Sequence, residues 1–236
     1  MPAASVHPFE ASGYSAWDAL HDPSSSSLPD PLAGLAIKDE HLERVLRGLD
    51  LLVQDGAMGT QLQAHGLAQS GQIPDLASIT DPEIVTLVHK EYLAAGAEVT
   101  TNSFGANALK LAGAASVEEV CAAAVACAKE SGARYVAGSI GPLGKLLEPY
   151  GEVPFERAYA LFLQQARALA EAGADVITIE TMTDLSEAKA ALLAAKAACD
   201  LPVLASMTYT QNGRTLFGTP PAVVAAVLSA LGIEWA

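Results

Sequence analysis

The chain has 236 residues, 51% of them hydrophobic and 17% charged, with a formal net charge of −14 at pH 7. This composition is typical of a globular protein that buries a core. The acidic excess disfavours nucleic acid and anionic membrane surfaces as partners, because both repel negative charge. The sequence shows neither a signal peptide nor an apolar run of roughly 18 residues, so we expect a cytoplasmic protein without a membrane span.

Residues 1–40 differ in composition from the rest of the chain. They contain a serine run at 24–27, flanked by Pro23, Pro29 and Pro31, and no sustained helical or strand periodicity. Segments of this kind bury too little apolar surface to offset the entropy lost on ordering. We therefore predict a disordered N-terminal tail over 1–40 and one folded domain over 41–236.

Five apolar segments alternate with helical patterns, and each segment ends in a small or polar residue. They cover 51–53, 98–102, 135–139, 176–180 and 202–208, and a sixth begins at 233. The helices between them start at capping signals, which are Asp81 before Pro82, Ser116 with Glu119, Asp184 with Glu187, and Thr219 before Pro220. Strands that alternate with helices predict a parallel sheet with right-handed crossovers.

Two architectures share this alternation, the doubly wound sheet and the (β/α)8 barrel. The sequence contains neither GxGxxG after its first strand nor GxxxxGK[ST], which disfavours a nucleotide-binding doubly wound fold. A barrel places its site at the C-terminal ends of its strands, where the polar residues fall in this sequence. The prediction is therefore an α/β fold, an incomplete (β/α)8 TIM barrel with about five to six of the eight strands present.

The residues at the predicted strand ends form a candidate binding site. If the strands lie side by side, they converge on one mouth that contains carboxylates, an amide and hydroxyls; these residues are Asp55, Asn102, Ser139, Glu180 and Thr208. Glu180 and Asp55 are suited to bind an ammonium group through charge-assisted hydrogen bonds. Backbone N–H groups of the turn at 56–59, which includes Gly56 and Ala57, are suited to bind a carboxylate. An amino acid is the natural substrate for such a mouth.

Other roles fit the same residues. Asp55 before Gly56 also suits a turn, Asn102 suits a cap, and Glu180 suits a residue that ties down a loop. Asp55 and Glu180 also fit the acid and base of a metal-independent lyase. The chain's three cysteines lie in helical patterns without metal-binding spacing, which favours buried free thiols.

Five motifs in order resemble those of the homocysteine S-methyltransferase family. They are DGAMGT at 55–60, TTNSFGAN at 100–107, GSIGP at 138–142, ETMTDLSEAKAA at 180–191 and MTYTQNGRTLFGT at 207–219. The long loop GPLGKLLEPYG at 141–151 is most similar to the homocysteine-binding module of bacterial cobalamin-dependent methionine synthases. The resemblance covers residues from about 50 to 236.

The resemblance implies a barrel that binds L-homocysteine and zinc and transfers a methyl group to the homocysteine sulfur. In this family a zinc-bound thiol loses its proton near neutral pH and becomes nucleophilic. The methyl donor is methylcobalamin supplied by methyltetrahydrofolate, S-methylmethionine or betaine, and the loop at 141–151 favours methylcobalamin. Asp55 and Glu180 match substrate-binding positions of the family, and Glu180 would hold the homocysteine amino group.

The sequence departs from the family at its metal site. The family's three zinc cysteines lie at the ends of the sixth and eighth strands, beyond Ala236, so we expect no metal ligands in this chain and no turnover by the chain alone. Two interpretations follow, an N-terminal part of a methyltransferase, or an incompetent fragment or split-barrel half that needs a complementary chain. Cobalamin- and folate-binding domains are possible in a longer parent protein.

Overall fold

The structure is a computed structural model that describes residues 30–67 and 72–233. The chain divides into two compact units, 1–33 and 34–236, and every element below belongs to the second. Most of the predicted disordered tail falls on residues 1–29, which lie outside the described residues. Among the residues that the structure describes, no helix is long and apolar enough to cross a membrane.

The sheet has four parallel strands in the order β1-β2-β3-β4, which confirms the predicted parallel β/α arrangement. The strands are β1 (Val99–Asn102), β2 (Tyr135–Ile140), β3 (Val176–Met182) and β4 (Val203–Met207). Before β1 come α1 (Glu40–Leu46), α2 (Met58–Ala64), a 3₁₀ turn (Pro74–Leu76), α3 (Ala77–Thr80) and α4 (Pro82–Ala94). Between and after the strands come α5 (Ala108–Leu111), α6 (Val117–Glu130), α7 (Phe155–Ala172), α8 (Leu185–Ala198) and α9 (Pro221–Ala230).

The main core lies between the sheet and the helices that cover one of its faces. Ile177 and Ile179 of β3 are fully buried there with Phe162 of α7 and Leu192 of α8. Because side chains alternate along a strand, Glu180 points to the face opposite Ile179. The alternation of side chains along β3 thus places apolar residues against the helices and Glu180 on the opposite face, toward the mouth.

The prediction of a first strand at 51–53 is wrong, because this segment forms no regular strand. Only Gln54 makes a parallel bridge, to Val99. Ahead of it, the Val53 carbonyl accepts from the backbone N–H groups of both Glu98 (2.8 Å) and Val99 (3.3 Å). One carbonyl serving two donors breaks the ladder, and Leu51 remains 79% exposed. Of the predicted sixth strand, residues 234–236 lie outside the described residues.

Three of the four predicted helix starts differ in detail, those of α4, α8 and α9. Ser116 and Glu119 form the predicted capping box at the start of α6. Asp81 occupies the N-cap of α4, but its side chain makes no cap hydrogen bond. It accepts instead from the Thr80 hydroxyl at 2.6 Å, because that neighbour is a closer donor than the helix backbone.

The start of α8 also departs from its prediction. Asp184 caps the helix by accepting from the Ser186 N–H at 2.9 Å. Glu187 completes no capping box, because its carboxylate accepts from the backbone N–H of Leu143 in a neighbouring loop. At α9 the N-cap is Pro220 and not the predicted Thr219.

Helix α1 is held against the N-terminal end of β2 by polar contacts. The Tyr135 hydroxyl donates to Asp39 Oδ1 at 2.7 Å, and the same oxygen accepts from the Leu42 N–H at 2.8 Å, which caps α1. Lys38 pairs with Asp175 at 2.9 Å, next to the start of β3. These bonds fix the end of the sheet that lies away from the mouth.

We predict that Tyr135→Phe lowers the free energy of unfolding by about 1 kcal/mol, because Asp39 loses a hydroxyl donor. Urea unfolding followed by circular dichroism measures the change. Tyr159→Phe is the matched control. It removes the hydroxyl of a partly exposed tyrosine on α7 and leaves the Tyr135–Asp39 bond in place. An equal effect of the two substitutions would contradict the role given to the Tyr135 hydroxyl.

Candidate functional site

A cavity of about 700 Å³ opens at the C-terminal ends of the strands, within the usual size range of small-molecule sites. Six of the seven residues predicted to bind substrate line it, namely Asp55, Gly56, Ala57, Asn102, Ser139 and Glu180. Thr208 does not line it; its backbone N–H donates to Met182 O at 2.7 Å, just beyond the end of β4. The structure thus brings together strand ends that are up to 125 residues apart in the sequence (55 to 180).

Asp55 contributes a carboxyl that lies behind the cavity wall. Its two oxygens accept from the Thr101 N–H at 2.7 Å and from the Thr101 hydroxyl at 2.8 Å. The side chain has no exposed area. Burial raises the pKa of Asp55 to about 6, the Thr101 hydrogen bonds oppose this shift, and the charge of Glu180 adds to it. Asp55 therefore shapes the mouth and, when ionised, adds negative charge to it.

Glu180 presents its carboxyl more directly. It is partly exposed in the cavity and accepts a hydrogen bond from the Ser139 hydroxyl on β2. The pairing of β3 with β4 shifts register between Ile179 and Met182, and Thr181 there has a φ of 63°. A β-branched residue in this left-handed conformation is a true outlier, and such strain is often found at functional sites. Burial raises the pKa of Glu180, which the Ser139 bond counteracts.

The turn between Asp55 and α2 forms a second wall of the cavity. Ala57 is the N-cap of α2 in extended conformation, and its carbonyl accepts from the Tyr92 hydroxyl at 3.1 Å. The first N–H groups of a helix have no acceptor within the helix. Gly56, Ala57, Met58 and Gly59 all line the cavity, so the backbone of this turn borders it.

The polar atoms of Asn102 are used to build the mouth. Its amide nitrogen donates to Ser78 Oγ at 3.1 Å, and its oxygen accepts from the Ser103 N–H at 2.9 Å. Gln165, buried on α7, donates to the carbonyls of Ser103 (2.8 Å) and Ser139 (3.3 Å). Gln165 was not predicted, because its position on a helix far from the motifs gives no sign that it reaches two strand ends.

A cationic side chain also lines the cavity and was not predicted. Lys110 on α5 places its ammonium 4.9 Å from the centroid of the Phe104 ring. Burial lowers the pKa of Lys110, while the charges of Asp75 and Glu187 raise it. Asp75 in turn accepts from the Gly105 N–H at 2.8 Å. Lys110 lies three residues after the motif at 100–107, and this closeness is the signal by which it could have been found.

The long loop between β2 and α7 is held by contacts near its start and near its middle. Leu143 N–H donates to the buried Glu187 carboxylate at 2.7 Å. Further along, the ring of Tyr150 stacks on that of Phe217, with centroids 4.6 Å apart. The loop is therefore tied to α8 and to the loop after β4.

The described residues do not fit the zinc site that the resemblance implies. They contain no group of three or more His, Cys, Asp or Glu side chains able to hold a metal ion. Cys121 and Cys127 are buried on α6, where burial raises the pKa of each thiol, and Cys127 donates to the Ser78 carbonyl. Cys199 donates to the Ala195 carbonyl at 3.7 Å. The thiols are therefore not arranged as zinc ligands.

A parallel β/α fold with an acidic cavity at its strand ends defines a small-molecule enzyme class, and comparison with known proteins specifies it. The family model for homocysteine S-methyltransferase matches residues 52–235. The chain therefore belongs to the homocysteine S-methyltransferase family, as its motifs predicted.

Individual relatives agree with this assignment. Methionine synthase of Mycobacterium tuberculosis is 31% identical over 206 residues, which are 78% of this chain and 17% of that protein. The chain thus spans about 17% of the length of this relative. The crystal structure of the homocysteine methyltransferase MmuM from Escherichia coli, metallated form, has a TM-score of 0.71 at 25% identity and is matched over 82% of this chain and 76% of that one. The described strands are accordingly part of a TIM barrel, which confirms the predicted fold class.

We predict that replacing Glu187 separates two roles of its carboxylate. Glu187→Ala leaves the buried Leu143 N–H without its acceptor, at a cost of about 1–3 kcal/mol, and the Leu143 amide should exchange faster with deuterium. Glu187→Gln retains an acceptor oxygen and should exchange at nearly the wild-type rate. Hydrogen exchange followed by mass spectrometry compares the two; equal acceleration in both would show that charge, and not this bond, holds the loop.

Asp55 and His89 are predicted to oppose each other in the pH dependence of stability. The pKa of Asp55 is raised to about 6, so its contribution is full at low pH and is lost as pH rises through 6. The pKa of His89 is lowered to about 4 by burial, so its contribution is full above 6.5 and is lost as pH falls through 4.

Between pH 7 and pH 4, Asp55→Asn should therefore lose about 2 kcal/mol more stability than the wild type, because only the His89 effect remains. Urea unfolding at both pH values measures this difference. Asp200→Asn, at an exposed position after α8, is the control for removal of a carboxyl. If Asp55→Asn and the wild type lose equal stability, the carboxyl of Asp55 does not take up a proton in this range.

Proposed function

We propose that this chain supplies the substrate-binding part of a homocysteine S-methyltransferase, which transfers a methyl group to the thiol of L-homocysteine. The observation that supports this most is the carboxylate of Glu180, half-buried in a cavity formed by the strand ends of a family member. A carboxylate in such a position is suited to an ammonium group, because the pair restores the solvation that each charge loses.

The walls of the cavity suggest one orientation for the substrate. The amino group lies at Glu180, close enough to the charge of Asp55 to be attracted by both carboxyls. The carboxylate lies at the backbone N–H groups of the turn at 56–59, as we inferred from the sequence. The side chain with its thiol then extends into the remaining volume, where apolar residues such as Met58 and Phe104 line the cavity.

In the reaction the S–H bond of homocysteine is replaced by an S–CH₃ bond, and one proton is released. The described residues bind and orient the amino acid for this step, and we derive no step through zinc because these residues do not fit a zinc site. We infer methylcobalamin as the donor from the length of the loop at 141–151. The proposal also includes zinc and folate as participants in the complete reaction. A complementing chain or domain would carry the zinc ligands.

The proposal is tested by measuring the binding of L-homocysteine to the 236-residue chain. The measurement is isothermal titration calorimetry under reducing conditions. We expect homocysteine to bind more tightly than L-homoserine, in which a hydroxyl replaces the thiol, and N-acetylhomocysteine, which lacks the ammonium group, to bind weakly. No binding of homocysteine at millimolar concentration would overturn the proposal. Methionine formation from methylcobalamin is then assayed with the same chain, and we expect none, because the described residues do not fit a zinc site.

Glu180→Gln should weaken homocysteine binding about 10- to 100-fold at pH 7.5, because it removes a charge-assisted hydrogen bond worth about 1.5–3 kcal/mol. Calorimetry with both proteins gives the ratio of dissociation constants. Glu171→Gln, on the exposed surface of α7, removes the same charge far from the cavity and should leave the affinity unchanged. Equal affinities of Glu180→Gln and the wild type would place the ammonium group elsewhere.

A further inference from the structure

His89 is buried next to the candidate site without any hydrogen bond. It lies in the middle of α4, its ring has no exposed area, and neither Nδ1 nor Nε2 has a hydrogen-bond partner among the described residues. A buried polar group without a partner costs about 1–3 kcal/mol, and such groups in native proteins usually have a reason. An apolar residue would fill this position at lower cost, so packing alone does not explain a histidine.

The nearest charged group to His89 is the carboxyl of Asp55. His89 Nδ1 lies 3.9 Å from Asp55 Oδ2, and both side chains have no exposed area. At this distance there is an electrostatic contact but no hydrogen bond, and a movement of about 1 Å would form one. Oδ2 already accepts from the Thr101 N–H and retains a second lone pair for another donor.

Few other ionisable groups surround the pair. From β3, Glu180 acts on Asp55 through its charge. From α6, Cys127 shares an apolar cluster with Val88 of α4, and its thiol donates to the Ser78 carbonyl. On α4 itself, Tyr92 donates its hydroxyl to Ala57 O. Among these described groups, the hydroxyl and the thiol already have acceptors, which leaves the imidazole as the donor placed to serve Asp55.

We propose that His89 is a positioning residue for the binding site, whose Nδ1–H stabilises the ionised carboxylate of Asp55 and so maintains the negative charge that attracts the substrate ammonium group. This inference rests on the proposed function for the identity of the ligand. His89 touches no substrate; it acts through Asp55, which is held in place by Thr101.

The 3.9 Å contact between Nδ1 and Oδ2 suits both protonation states of Asp55. When Asp55 carries a proton it needs no donor on Oδ2, and a neutral imidazole at 3.9 Å is tolerated. When an ammonium group enters the mouth, the ionised form of Asp55 is favoured, and the Nδ1–H becomes its natural partner. Burial, which lowers the pKa of His89, keeps the imidazole neutral and therefore available as a donor at one nitrogen.

Two substitutions of the same branched shape test this. His89→Asn retains an N–H donor near the position of Nδ1, whereas His89→Leu does not. In the ligand-free 236-residue protein, the pKa of Asp55 is measured from its ¹³C carboxyl resonance, assigned by its loss in Asp55→Asn. We expect His89→Leu to raise this pKa by about one unit and His89→Asn to leave it near the wild-type value. Circular dichroism establishes that both variants are folded.

The second readout is the affinity for L-homocysteine as a function of pH. At pH 6 His89→Leu should bind about fivefold more weakly than His89→Asn, and at pH 8 equally well, because Asp55 is then ionised in both. A purely structural role would lower the stability of both variants without separating their Asp55 titrations, and this result would overturn the proposal. Absence of homocysteine binding by the wild type would overturn the proposed function, while the titration still decides the role of His89.

Discussion

The desolvation of carboxyl groups around the mouth is the constraint on which the site depends. Four of them are largely buried, and burial raises the pKa of each; they are Asp55, Asp75, Glu180 and Glu187. Each offsets this cost by accepting a hydrogen bond from a different segment, at Thr101, Gly105, Ser139 and Leu143 respectively. The carboxyls therefore join β1, the loop after it, β2 and the long loop into one wall. The negative charge of the mouth and its rigidity have the same origin.

This arrangement also determines which ligands suit the cavity. Its ionisable lining, among the described residues, consists of Asp55, Asp75 and Glu180 with Lys110. Lys110 lies between the charges of Asp75 and Glu187, so its own charge is balanced by them. Within the part of the chain that the structure describes, no cation acts on the charge of Glu180, and this charge also opposes ionisation of Asp55. A ligand with an ammonium group relieves this repulsion, whereas an anion would increase it.

The sequence predicts the parallel fold and most of the cavity lining, because a carboxylate that interrupts an apolar strand marks both the edge of the core and the site. Glu180 is of this kind, although β3 continues beyond it to Met182. The sequence predicts hydrogen-bond partners less well where the direction of a side chain depends on tertiary packing. Glu187 has a capping position in the sequence but turns to Leu143 in the fold, and Gln165 reaches two strand ends from within a helix. The predicted first strand at 51–53 failed because its apolar side chains are not buried in a core; Leu51 is 79% and Val53 54% exposed, and the segment makes a single bridge.

Backbone strain at the mouth also indicates that the fold orders this region. Ser103 and Thr181 both have positive φ, 80° and 63°, and each directly follows a residue that lines the cavity. Such conformations cost about 1–3 kcal/mol each and persist only where surrounding contacts determine them. Around Ser103 these contacts are the bonds from Gln165 and to Ser139 O. The free energy that orders the mouth is thus supplied by the fold before a ligand arrives, and a bound amino acid does not have to supply it.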